Sequence, residues 1–126
     1  MTMRPQNIGD LVITAAIGLL LATAALAAES FRHLKGREIA ARFTGMELTD
    51  EVHWAYVFER GGRLNIFSMG RPGTGSWTVD RNELCLGRPP DETRCYEVWV
   101  SGQNVQLRRE SDVPDEGILQ KPQKRQ

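Results

Sequence analysis

The sequence predicts a mainly β protein: an antiparallel meander of about six strands, a curled sheet or partial barrel, preceded by one short helix. Three observations carry this reading. Trp54, Tyr56 and Phe58 alternate with Ala55 and Val57, which is the two-residue period of a strand. Turn signals at Gly61-Gly62, Asp80-Arg81-Asn82 and Ser101-Gly102-Gln103-Asn104 separate runs of this kind. Residues 75–100 hold both cysteines and two of the three tryptophans, and read as three short strands joined by two turns.

The first segment is different. Residues 1–27 have the pattern of a secretory signal peptide: Arg4, an apolar run from Leu11 to Leu26 interrupted by Thr14, Gly18 and Thr23, then Ala25-Leu26-Ala27. Cleavage is expected after Ala27, giving a periplasmic or secreted protein. The run is short for a membrane span, and no cysteine follows it to carry a lipid. No stable membrane anchor is therefore expected after cleavage. The rest divides into one small domain, residues 28–108, and a polar C-terminal tail, residues 109–126. Gly117-Ile118-Leu119 could add a short edge strand, and Lys121 to Gln126 reads as a frayed end. The chain has 16 basic and 16 acidic residues. Arg4 and Asp10 leave together with the leader, so the remainder is also neutral. Neither its charge nor its destination suits nucleic acid as a partner.

Leu34 to Phe43 reads as the helix, with Ile39 and Phe43 one turn apart and Gly45 placed to end it. Val52 to Glu59 is the clearest strand. A two-residue turn at Gly61-Gly62 would return it as Arg63 to Met69, setting Tyr56 opposite Phe67 and Val57 opposite Ile66. Gly70 to Gly75 reads as a loop. Ser76 to Val79, Glu83 to Leu86, Arg94 to Val100 and Val105 to Arg108 complete the six strands. Trp54, Trp77 and Trp99 read as core or core-rim residues, with an exposed platform as the alternative.

Pairing Cys85 with Cys95 in register would set Leu84 opposite Tyr96, a good cross-strand pair. It would also set Glu83 opposite Glu97, a like-charge pair. An exported chain of this size benefits from a staple, so a structural disulfide is expected. Nine residues between the cysteines do not make a dithiol oxidoreductase motif.

Several of these features together resemble a group of small exported proteobacterial proteins of unknown function. They are the leader, a helix ending Phe43-Thr44-Gly45, an aromatic strand running to a glycine turn, Gly75-x-Trp77-x-Val79, Leu84-Cys85 and Cys95-Tyr96. The resemblance spans about Leu34 to Arg108. It implies a periplasmic home and a disulfide, and brings no catalytic residues.

Little in the sequence supports catalysis. His33 and His53 lie in different elements, so no metal site is expected. Ser76, His53 and Asp80 make a triad only on paper. Gly70 to Gly75 lacks the lysine and the following helix of a phosphate loop. Glu59, Glu83, Glu97 and Asp80 read as solvated strand faces. No cofactor is implied. Arginine is the favoured cation at turns and loops, and Arg60, Arg63, Arg71, Arg88 and Arg94 form the expected interaction surface. The leading reading is a small periplasmic binding module without catalysis, its partner an envelope protein or a small ligand. The alternatives are a lipocalin-like carrier of a small ligand and an inhibitor of an envelope enzyme such as a lysozyme.

Overall fold

The structure, a computed structural model, describes residues 30–125. The expected leader and its cleavage point after Ala27 lie outside them. In chain order the elements are β1 (Arg32–His33), α1 (Gly36–Phe43), β2 (Glu47–Thr49), β3 (Trp54–Phe58), β4 (Arg63–Ser68), β5 (Arg71–Asp80), β6 (Glu83–Gly87), β7 (Arg94–Ser101), β8 (Asn104–Arg108) and β9 (Asp115–Gln120).

Each strand from β2 to β9 pairs antiparallel with the next, and β9 returns to pair with β2, Leu119 opposite Leu48. Eight strands thus close into an up-and-down barrel. The mainly antiparallel β character and, among the described residues, the one short helix agree with the sequence. The extent does not: where about six strands in a curled sheet or partial barrel were expected, the described residues form nine strands, and eight of them close the barrel completely. The two strands missed near the N-terminus, β1 and β2, have only 2 and 3 residues, too few to show an alternation. The expected edge strand at Gly117 to Leu119 belongs to β9 and has a neighbour on each side. β1 pairs with Trp99 and Val100, where β7 has run past the end of β6.

Two local expectations are also corrected. Residues 71–75, read as a loop, form the first half of β5, where β4 is the only sheet neighbour among the described residues. That half can therefore carry Pro72, which has no N–H for a second partner. Gly75 there packs against the next strand, because a Cβ would lie 2.1 Å from the Gly87 carbonyl oxygen. The β3–β4 turn has three residues, not two, because the Glu59 N–H already bonds the Arg63 carbonyl at 2.9 Å. Arg60, Gly61 and Gly62 make the bend, with φ of 96° and 98° at the two glycines. The register consequently places Tyr56 opposite Ile66 and Val57 opposite Asn65. Leu64 and Ile66 then share the inner face with Tyr56 and Phe58, and Phe67 faces out.

The interior is occupied by the chain's own side chains. Phe58, Leu64, Leu84 and Val98 have no exposed surface, and Leu48, Leu86, Val105 and Leu107 have almost none. Helix α1 covers one end. It buries Ile39 and Phe43 completely, and the Phe43 ring meets Phe58 edge-on at 5.0 Å. Phe58 meets Trp77 in the same way at 5.4 Å, and Trp77 Nε1 donates to the Glu59 carbonyl at 2.8 Å. The helix start is fixed to the β5–β6 turn. The Gly36 N–H donates to Asn82 Oδ1 at 2.8 Å, and a Cβ on Gly36 would lie 2.0 Å from the Arg81 carbonyl oxygen. Glu38 Oε1 accepts the Lys35 N–H at 3.0 Å and caps the first turn. Gly45, with φ of 80°, ends the helix as expected.

Cys85 and Cys95 are disulfide-bonded on the outer face, directly opposite one another, with Leu84 opposite Tyr96. The β6–β7 ladder ends at Leu84 and Tyr96, one position short of a Glu83–Glu97 pair, and on the other side of β7 Glu97 is opposite Arg108 of β8. Replacing both cysteines by Ala should lower stability by about 2–4 kcal/mol through the freedom returned to the unfolded chain. Denaturant unfolding checks this; an unchanged midpoint would contradict it.

Candidate functional site

The end opposite α1 is framed by the loops β2–β3, β4–β5, β6–β7 and β8–β9. No helix covers it. Arg88, the first residue after β6, reaches across it. Tyr56 on β3 and Tyr96 on β7 come from opposite walls of the eight-strand ring, and both are buried. Arg88 Nη1 donates to the Tyr56 hydroxyl at 2.6 Å, and Nη2 donates to the Tyr96 hydroxyl at 3.0 Å. Its guanidinium carbon lies 5.5 Å from the centre of the Tyr56 ring. The arginine thus satisfies two phenols that would otherwise be stranded in an apolar barrel.

Burial pushes the Tyr56 phenol above its ordinary range, and the neighbouring Arg88 charge and hydrogen bond pull it partly back. Above the guanidinium lies an open recess of about 470 Å³, whose lining includes Arg88, Asp91, Arg94, Tyr96, Arg109 and Asp115. Arg109 faces Asp112 at 3.6 Å. Arg88 forms no ion pair among the described residues.

A second recess, about 480 Å³, opens on the outer face beside His53, Trp54, Phe67 and Arg125. It is bounded by the C-terminal tail, whose contacts with the barrel reach Arg125. Gln120 Nε2 donates to Glu47 Oε2 at 3.1 Å, Arg125 Nη1 donates to Glu47 Oε1, and the Arg125 guanidinium stacks 4.8 Å from the Phe67 ring centre. Glu47 is wholly buried under this strap. Burial works to raise its carboxyl, but the bonds from Arg125 and Gln120 outweigh it and hold the group below the usual carboxylate range. Asp50 is also held below the usual carboxylate range. Partial burial opposes this, but its carboxylate accepts the Trp54, His53 and Val52 N–H groups at 3.0, 2.7 and 3.0 Å. His53 Nδ1 adds a contact at 2.8 Å to the same group.

The five arginines singled out in the sequence do not form one surface. Arg60 and Arg63 lie at the helix-covered end, where Arg63 Nε is 3.6 Å from Glu59 Oε2. Arg71 opens β5 at the other end. Arg88 and Arg94 meet in the mouth recess, joined there by Arg109. The paper triad is not assembled, since His53 is held by Asp50 while Ser76 and Asp80 stand on β5. Among the described residues no three His, Cys, Asp or Glu are placed to hold a metal. Trp77 is core, and Trp54 is half-buried and stacked on Tyr56 at 4.7 Å. Trp99 lies on the outer face with His33 stacked at 5.0 Å and the Arg108 guanidinium at 4.1 Å, so its rings offer no free platform. Sequence reasoning missed the two tyrosines as partners of Arg88. Their inward positions were legible from strand alternation; that their strands face each other was not.

Compared with known protein families, curated proteins and solved structures, the chain matches none.

Two outcomes follow from this geometry. In Arg88→Gln the Tyr56 phenol loses the charge that lowers it. Its phenolate absorbance should then appear at higher pH than in the parent; an unchanged or lower onset would contradict the contact. For Glu47 the folded-state pKa lies below the unfolded one. Its contribution is therefore fully present above the ordinary carboxylate range and is lost as pH falls through the folded value. Arg125→Gln should cost roughly 1–3 kcal/mol at neutral pH and move acid unfolding to higher pH. Denaturant midpoints measured across an acid pH series check both; a parent-like series would sink the strap.

Proposed function

We propose that the protein is a non-catalytic binding module of the cell envelope, and that its partner meets the Arg88 mouth. The observation that carries this is a barrel filled by its own side chains, with an arginine held at its uncovered end. A filled interior weighs against the lipocalin-like carrier, which needs a hollow one. It leaves surface recognition as the reading the geometry favours, and an envelope enzyme would be one kind of partner. Loops on a rigid closed barrel hold recognition groups without a large ordering cost.

The disulfide and the leader pattern of residues 1–27 support an exported, periplasmic or secreted, protein. Among the described residues no helix is long and apolar enough to cross a membrane. The resemblance to small exported proteobacterial proteins points the same way, through its leader and its Leu84-Cys85 and Cys95-Tyr96 motifs.

Native mass spectrometry of the protein recovered from the envelope tests this reading. The expected species begins at Ala28, carries the disulfide, and holds no small molecule inside the barrel; in the envelope extract it associates with a partner protein. A chain still carrying Met1 would contradict export. A small apolar ligand retained through purification would replace the binding module with the carrier.

A further inference from the structure

Arg88 donates to two neutral phenols and forms no ion pair among the described residues. A guanidinium carries five N–H donors, and the described residues occupy two of them, both through phenols. The remaining donors belong to a half-buried cation that opens onto the mouth recess. A planar fork with donors to spare is the group that binds a carboxylate bidentately. Its position is set in advance, because Tyr56 and Tyr96 are themselves fixed in opposite walls of the core. Arg94 lines the same recess and makes no ion pair among the described residues.

The recess is not simply cationic. Asp91 and Asp115 line it too, and neither makes an ion pair among the described residues. Asp115 is close enough to act on both Arg88 and Tyr56 electrostatically. A bare anion would approach Arg88 past these carboxylates and be repelled. A carboxylate presented next to a cation would not: the acid meets Arg88 and Arg94, and the base meets Asp91 and Asp115. Complementarity of this kind sets specificity more than raw affinity.

We propose that the mouth recess receives an acidic side chain of the partner protein, with a basic side chain of the same segment beside it. This rests on the binding reading above and names the chemistry of that site. Tyr56 and Tyr96 act as positioning residues, holding the Arg88 fork open to the ligand.

The test uses the disulfide-bonded parent protein labelled with ¹⁵N in arginine, following the Arg88 Nε–H signal. The probes are three capped dipeptides, acetyl-Glu-Lys-amide, acetyl-Gln-Lys-amide and acetyl-Glu-Gln-amide, together with inorganic phosphate and free β-alanine. The Glu-Lys peptide is expected to move the Arg88 signal saturably. The Gln-Lys peptide should bind roughly tenfold or more weakly, having lost the charge-assisted pair. The Glu-Gln peptide should fall between them.

Equal shifts from Gln-Lys and Glu-Lys, no saturable shift from either, or tighter binding of phosphate would each overturn the proposal. Tighter binding of β-alanine would overturn the protein segment in favour of a small zwitterion. Arg94→Gln, an exposed change away from the core, should weaken the Glu-Lys peptide without moving the unfolding midpoint; undiminished binding would remove Arg94 from the site. Capture of the same envelope partner by the parent and by a folded Arg88→Gln variant separates the two levels. It would refute the carboxylate site and leave the binding module standing. A saturable Glu-Lys shift with no envelope partner would do the reverse.

Discussion

Closure of the sheet by β9 is the constraint on which the other features depend. Leu119 opposite Leu48 joins the last strand to β2, and the open edges of both disappear. An open sheet of the same strands would leave one face of Tyr56, Phe58 and Leu64 to water or to another protein. Closed, the inner faces meet across the axis and the chain supplies its own core. Closure also places β3 and β7 on opposite walls, and so brings Tyr56 and Tyr96 within reach of one guanidinium. The C-terminal strap depends on the same event, because β9 delivers Gln120 and Arg125 to the buried Glu47.

The two ends of the barrel are finished differently. At one end α1 brings Ile39 and Phe43 to the aromatic contacts of Phe58 and Trp77, and backbone contacts at Gly36 lock it in place. This end has the character of a core. At the other end the stopper is a charged side chain between two hydroxyls. Arg88 both satisfies the phenols and faces solvent with donors unused. That asymmetry supports the proposal that recognition occurs at the mouth rather than at the helix. The disulfide lies on the outer face of β6 and β7, the strands that flank the Arg88 loop, and it holds that loop's two ends together.

Much of this was legible in the sequence, for physical reasons that particular residues show. Trp54, Tyr56 and Phe58 sit at the strand period and do face inward, because a five-residue strand is long enough to display its alternation. Cys85 and Cys95 lie on strands readable without them, and their register followed. β2 was not legible: three residues, Glu47-Leu48-Thr49, carry one apolar side chain between two polar ones. Glu47 is buried there only because the distant Arg125 covers it, a contact separated by most of the chain. Residues 71–75 looked like a loop because Gly and Pro usually break strands, and only the missing second neighbour makes them acceptable. The turn at Gly61-Gly62 was visible, but its length was decided by the Glu59–Arg63 bond, and that one residue moved the register. For the site, Arg88 was legible as one arginine among five. What separates it from Arg60 or Arg71 is the position of two tyrosines 32 and 8 residues away, which only the closed barrel defines.

The central claim is the closed barrel, and cross-strand nuclear Overhauser contacts between β2 and β9 test it most directly. Leu48 and Leu119 are opposed, and Glu47 and Thr49 are opposed to Gln120 and Ile118. Backbone contacts between these pairs are expected in the native protein, together with slow amide exchange along both strands. Their absence, with β9 exchanging as fast as the tail beyond it, would show an open sheet and would remove both the filled core and the Arg88 mouth.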